Sequence, residues 1–165
     1  MNPKVESAEE LEEQTREICE IYEQAPEIAK AGIKLYSTDE CRGIQAKERL
    51  NPNHLMKRGK PRRVEYEYIR HGTLSLTANF EIATGQVESP TIKETRTEAD
   101  FVGHLEKTVE NAAEASGWWF IVDQLNTHKS ESLVKFVAQR EGIEASKLGE
   151  KGKSGILKSM KTRQE

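Results

Sequence analysis

A continuous apolar run, Trp118-Trp119-Phe120-Ile121-Val122, stops abruptly at Asp123. No apolar run in the chain approaches the ~18 residues of a membrane span. Lacking polar alternation, this one reads as a central strand covered on both faces, as in parallel sheets. A helix pattern precedes it. Thr97 with Asp100 three residues on forms a capping pattern, Phe101, Leu105, Val109 and Ala112 recur on one face, and Gly117 ends the segment. A helix that hands over to a buried parallel strand is a crossover connection, and crossovers build mixed α/β sheets.

The remaining patterns supply the other elements. Residues 32–40 alternate apolar and polar side chains and stop at Thr38-Asp39-Glu40, with residues 43–50 able to extend the strand. Leu74, Leu76, Ala78, Phe80 and Ile82 line one face of a hairpin that turns at Thr84-Gly85 and resumes at Val87. Ser130 opens a further helix through Leu133, Val134, Phe136 and Val137 that ends near Gly142. At the N-terminus Ser7 and Glu10 form a capping box. Leu11, Ile18, Ile21, Tyr22 and Ala25 then recur at helical spacing, and Pro26 marks the end. The expected order is helix, strand, hairpin, helix, strand, helix.

At 165 residues the chain suits one domain with one core. With 35% hydrophobic and 32% charged residues, that core is modest and the surface heavily charged. A net charge of −3 does not announce a nucleic-acid binder, so the distribution of charge carries more information than its sum. Residues 1–30 hold nine Glu against three basic residues, an acidic face that solvent alone can satisfy. Residues 51–63, rich in Pro and Gly, hold Lys57, Arg58, Lys60, Arg62 and Arg63 and read as an exposed loop. From Lys147 onward six basic residues face two acids. The segments divide into an acidic N-terminal helix (1–31), an α/β core (32–143) and a basic tail (144–165). Cys19 and Cys41 lack the spacing of a zinc site or a disulfide framework, which fits reduced thiols. The acidic start has no apolar export segment. The expectation is a cytoplasmic protein without membrane association.

If residues 118–122 lie beside residues 33–38 and parallel to them, the C-terminal ends of the two strands coincide. Asp39 and Asp123 then emerge side by side, where open α/β sheets bind ligands. Adjacent carboxylates can share a proton for acid–base work or hold divalent cations, and either one taken singly can simply cap the next turn. Hard oxygen donors suit Mg²⁺, which keeps several waters and takes few carboxylates plus substrate phosphate. Two such ions ~3.5–4 Å apart can activate a water and stabilise the leaving oxygen of a phosphodiester.

Five stretches narrow the choice: STDE at 37–40, GIQAKER at 43–49, IRHGTLSLTANFEIATGQV at 69–87, VDQLNTHKSE at 122–131 and GEKGKSGILKSM at 149–160. Together they resemble the catalytic domain of bacterial insertion-sequence transposases of the mariner-related superfamily, which carry a DDE-type site. The resemblance runs from about Asn2 to the C-terminus. It implies an RNase H-like mixed sheet, an antiparallel hairpin plus parallel strands, with flanking helices. It implies Asp39 as the first catalytic acid and Asp123 as the second, both binding Mg²⁺ (or Mn²⁺). The implied reaction is cleavage at transposon ends and transfer of the 3′-OH to target DNA. Gln124 stands where the family often has Asn. The family's third acid follows a further strand and a Trp-Leu-Asn-Gln-like motif, neither of which appears here, nor does the usual helix-turn-helix region. The expectation is therefore a C-terminally truncated domain, lacking the last strand and helix and inactive alone.

Around the pair, the resemblance implies that Asn126 and His128 shape the edge of the site, with His128 within reach of a phosphate or a water. Glu40 could orient a metal-bound water. An Asx turn, an exposed histidine and a solvated glutamate are the plainer uses of the same residues. His54, His71 and His104 lack ligand-spaced partners and read as structural or surface residues. Trp118 and Trp119 read as strand packing rather than base-stacking platforms. Phosphate contacts fall to Lys57, Arg58, Lys60, Arg62 and Arg63 in the loop and to Lys151, Lys153 and Lys158 in the tail, through salt-dependent, sequence-independent attraction. Two other functions stay open. One is a non-catalytic DNA-binding or self-associating module that modulates full-length transposase. The other is a metal nuclease completed by a carboxylate from a partner chain.

Overall fold

The computed structural model describes residues 7–123, 125–144, 146 and 148. In chain order these form α1 (Ala8–Glu23), α2 (Ala25–Lys30), β1 (Ile33–Arg49), β2 (Tyr68–Glu81), β3 (Gln86–Lys93), α3 (Glu98–Asn111), β4 (Gly117–Ile121), a 3₁₀ turn (Asn126–Lys129) and α4 (Glu131–Arg140). The sheet order is β3-β2-β1-β4. β2 runs antiparallel to both β1 and β3, and β4 runs parallel to β1. A hairpin, a parallel pair and flanking helices make the expected RNase H-like α/β arrangement.

Local chemistry sets most of the element ends. Thr97 caps α3 in a reciprocal capping box with Asp100, and Ser130 Oγ accepts from Leu133 N–H at the start of α4. Ser7 caps α1 by accepting from Glu10 N–H. Gly85 takes φ +71° in the β2–β3 turn, and Gly142 takes φ +69° just beyond α4. Pro26 does not end the first helix. α1 stops at Glu23, and Pro26 sits in the first turn of α2, where its missing N–H costs no helical bond. Gly117 opens β4 rather than closing α3, which ends at Asn111.

β1 is longer than its alternation suggests. It runs 17 residues, with irregularities between Cys41 and Ile44 and between Gln45 and Lys47, and Gly43 at φ +71° helps absorb the first. Asp39 therefore lies inside a paired strand, not at its end. From Ile44↔Leu74 to Arg49↔Tyr68, β1 and β2 pair beyond the reach of β3 and β4 as a two-stranded ribbon. Residues 50–67 form its tip, where the bridges His54↔Arg63 and Lys57↔Lys60 fold a small exposed turn.

The two sheet faces differ in chemistry. Leu35 packs with Ala25 and Ile28 of α2, joined by Ile21, Ile33, Ile82 and Ile121. The opposite face holds a polar network beneath α3. Thr38 donates to Asn79 Oδ1 (2.7 Å), Asn79 Nδ2 donates to Thr108 Oγ1 (2.7 Å), and His104 Nε2 lies 3.0 Å from Asn79 Oδ1. An amide oxygen only accepts, so His104 Nε2 donates, and Nδ1 accepts from the Thr91 hydroxyl at 2.9 Å. Tyr36, whose hydroxyl donates to Glu88 at 2.7 Å, and Phe101, Leu105 and Val109 complete this layer.

Three expectations about burial change. In β2 it is Asn79 and Glu81 that are fully buried, while Phe80 on the apolar face is exposed, because α3 covers the polar side. Strand β4 lies at the edge of the described sheet, bonded on one side only, and Trp119 is exposed. The stripe of α1 is likewise mostly uncovered: Ile21 packs against the core, but Leu11, Ile18 and Tyr22 are exposed, and the helix fully buries no residue.

Candidate catalytic site

β1 and β4 run in register from Ile33↔Gly117 to Ser37↔Ile121. Paired residues share a sheet face, as the stacked rings of Tyr36 and Phe120 show at 5.3 Å. Two residues beyond the last pair are Asp39 on β1 and Asp123 just past the end of β4. The topology thus delivers both aspartates to one edge, at the point where β4 leaves the sheet and β1 continues.

Each carboxylate is held by local bonds and remains accessible. Asp39 is exposed, and its Oδ1 accepts the Glu40 N–H at 2.7 Å. The Asp123 side chain is 57% exposed, with Oδ1 2.8 Å from His128 Nδ1. The same oxygen accepts the Leu125 N–H at 2.9 Å, an Asx-type turn. That turn belongs to Asp123 and not to Asn126, which is exposed at the start of the 3₁₀ turn.

Glu40 and His128 do not face outward. Strand alternation turns Glu40 to the face opposite Asp39, where its side chain is 7% exposed and Oε1 lies 3.8 Å from His128 Nε2. The His128 side chain is 2% exposed and its ring lies against Phe101 at 4.2 Å. It is therefore not placed to meet a phosphate from solvent, and Glu40 is not a solvated side chain. The signal for Glu40 was available in the alternation of residues 33–40. Nothing local announced His128, because its burial depends on α3.

The basic loop residues Lys57, Arg58, Lys60, Arg62 and Arg63 are all exposed at the ribbon tip, while Lys151, Lys153 and Lys158 lie outside the described residues. Sequence reading missed that the ribbon strands extend this surface. Lys47 Nζ lies 4.4 Å from the centre of the Tyr68 ring and the Arg70 guanidinium 5.6 Å from it. Arg70 bonds the Tyr68 hydroxyl and, with Lys47, holds it below the usual phenol range. Cys19 and Cys41 are free and exposed. His54 and His71 lie on the ribbon, His71 paired with Glu48 at 2.7 Å, and His104 is buried.

Among the described residues no group of three or more His, Cys, Asp or Glu side chains could hold a metal ion. The donors at the β1–β4 edge are two accessible carboxylates, since His128 turns inward. Such a hard, oxygen-only set fits Mg²⁺ or Mn²⁺ completed by water and phosphate, and lacks the nitrogen and sulfur donors usual for zinc. No helix among the described residues is long and apolar enough to cross a membrane.

No curated protein and no solved structure gives a significant match to the chain. A family model does: that of the DDE superfamily endonucleases, over residues 34–150. Domains of this kind are divalent-metal-dependent nucleases of transposase type with DNA as their substrate. The matched span opens with β1, takes in the ribbon, both aspartates and the 3₁₀ turn, and exceeds half of the chain, which accordingly belongs to the DDE endonuclease superfamily.

Proposed function

We propose that this is a transposase catalytic domain of the bacterial, mariner-related insertion-sequence type. It cuts DNA at transposon ends and passes the 3′-OH to target DNA. The observation that carries the reading is the parallel β1–β4 register, which leads two exposed aspartates to one edge of the sheet. Asp39 and Asp123 would hold Mg²⁺ or Mn²⁺. When bound, such ions would activate a water and stabilise the leaving oxygen of the phosphodiester. The chain's own part is to fix the carboxylates beforehand: Asp39 sits on a strand paired with β2, and Asp123 is locked by its turn. Preorganised charges of this kind need no rearrangement at the moment of reaction.

DNA contact is assigned to the ribbon. Residues 42–73 hold nine Lys and Arg against three Glu, in a chain whose net charge is −3. Lys57, Arg58, Lys60, Arg62 and Arg63 lead this surface, and Lys151, Lys153 and Lys158 are assigned the same role. A two-stranded ribbon matches the width of the DNA major groove, and Tyr66 and Tyr68 are exposed on this one.

The test is a Mn²⁺ titration read by the electron paramagnetic resonance of the free ion. Weak binding is expected in the parent chain and its loss in Asp39→Asn and in Asp123→Asn. Binding untouched by both substitutions would remove the metal assignment. DNA nicking by this chain alone is expected to be feeble, because among the described residues no cluster of three or more possible metal ligands forms to supply a third acid. The open apolar sheet face, with Phe80, Val87 and Ile92 exposed, favours a second reading as a subunit-pairing module. Self-association and DNA binding both unchanged by Asp39→Ala, with no metal-dependent nicking, would favour it.

A further inference from the structure

Three buried side-chain atoms among the described residues have no hydrogen-bond partner: Glu40 Oε2, Thr127 Oγ1 and His128 Nε2. All three belong to the two segments that meet beside Asp123. A buried carboxylate left short of partners is costly, which makes its placement informative.

The other side of the His128 ring is fully used. Nδ1 lies 2.8 Å from Asp123 Oδ1 and 3.2 Å from the Asp123 main-chain oxygen. Both oxygens only accept, so Nδ1 carries a proton and donates. The Leu125 N–H donates to the same Oδ1. One main-chain donor therefore bonds Asp123 Oδ1 while the imidazole, hydrogen-bonded to the Asp123 main-chain oxygen, sits 2.8 Å from the same Oδ1, and among the described residues Oδ2 takes no hydrogen bond. A carboxylate held by one oxygen presents the other in a fixed direction.

The ring is itself held. Phe101 lies against its face at 4.2 Å, and the Glu40 carboxylate lies 3.8 Å from Nε2. A half-turn about Cβ–Cγ would put a carbon against Asp123 in place of the Nδ1 donor. We propose that His128, steadied by the buried Glu40, is the positioning residue that aims Asp123 Oδ2 at a divalent cation. The inference rests on Asp123 being a metal ligand. It inverts the usual outer-shell arrangement: the ligand is the carboxylate, and the histidine stands behind it.

The experiment measures Mn²⁺ affinity of the full chain, with the metal alone as probe and thermal unfolding recorded for every variant. His128→Ala is expected to weaken Mn²⁺ binding about tenfold, the lower end of outer-shell effects. His128→Asn places an amide donor near the Nδ1 position and is expected to regain most of the affinity. His128→Gln, whose donor reaches the Nε2 position instead, is expected not to. Glu40→Gln should weaken binding by a smaller factor. Parental affinity in His128→Ala, with affinity lost in Asp123→Asn, would overturn the positioning role and leave the metal reading standing. Should His128→Ala fail to fold, the Asn and Gln variants decide the same point, and equal affinities in those two overturn it. A parent chain that binds no Mn²⁺ overturns both.

Discussion

His104 stays neutral because its surroundings offer it one acceptor and one donor and no counter-charge. Burial first, and Lys107 second, push its pKa down from the usual 6.5 to about 4. The folded chain therefore refuses a proton that the unfolded chain accepts below about pH 6.5. The sign follows from linkage: stability is fully present above that pH and falls as the pH drops toward 4. The loss approaches roughly 3 kcal/mol below it for this group alone. Urea unfolding at pH 7 and at pH 4.5 should show the drop, and His104→Gln, which keeps a donor for Asn79 but cannot titrate, should flatten it. An equal drop in both chains would assign the acid sensitivity to other groups. The same alternation logic separates the neighbours Asp39 and Glu40: two acids one residue apart, one in solvent and one against a buried imidazole.

At the level of elements, the helix starts were legible because caps are local. Thr97 and its box are the clearest, and Thr97→Ala should lower stability by about 1 kcal/mol in chemical unfolding. A cost near zero would mean that α3 is held by its buried face alone. The parallel placement of β4 beside β1 was equally readable, since a helix between two apolar strands leaves few alternatives. Other features depended on contacts distant in sequence. The bulges around Gly43 interrupt the alternation of β1, so residues 43–50 read only as a possible extension of a strand that in fact runs through to Arg49. A helical stripe says that α1 has an apolar face, not that anything covers it. The burial of Asn79 could not be read from β2 because its partners come from β1 and α3. The ribbon carries its own prediction. If Lys57, Arg58, Arg62 and Arg63 each meet one phosphate, replacing all four with Gln should reduce the slope of log affinity against log salt by about 3–4. Anisotropy with a random-sequence duplex measures this, and an unchanged slope would place the DNA elsewhere on the molecule.

For the whole molecule, the sheet face that carries Asp39 is also the open one. Register puts Val87 opposite Phe80, Ile92 opposite Leu76 and Ala78 opposite Asp39, so these side chains share that face. Val87 is 60% exposed and Ile92 62%, with Phe80 beside them. A contiguous apolar surface of this kind drives association, and α2 covers only the end near Leu35. Charge offers a competing route, because acidic α1 and the basic ribbon could pair between copies. Salt separates the two. Attraction between exposed charges is screened within about 8 Å at physiological ionic strength and weakens as salt rises, whereas apolar burial does not weaken and is strengthened by salts such as sulfate. Sedimentation velocity is therefore expected to show self-association that grows with concentration and persists in 0.5 M sodium sulfate, whose ionic strength is roughly ten times the ~0.15 M reference for screening. The double substitution Val87→Lys and Ile92→Lys should return the chain to monomer with its circular dichroism unchanged. Dissociation by salt in the parent, or association undiminished in the double variant, would move the contact from the sheet face to the charged surfaces.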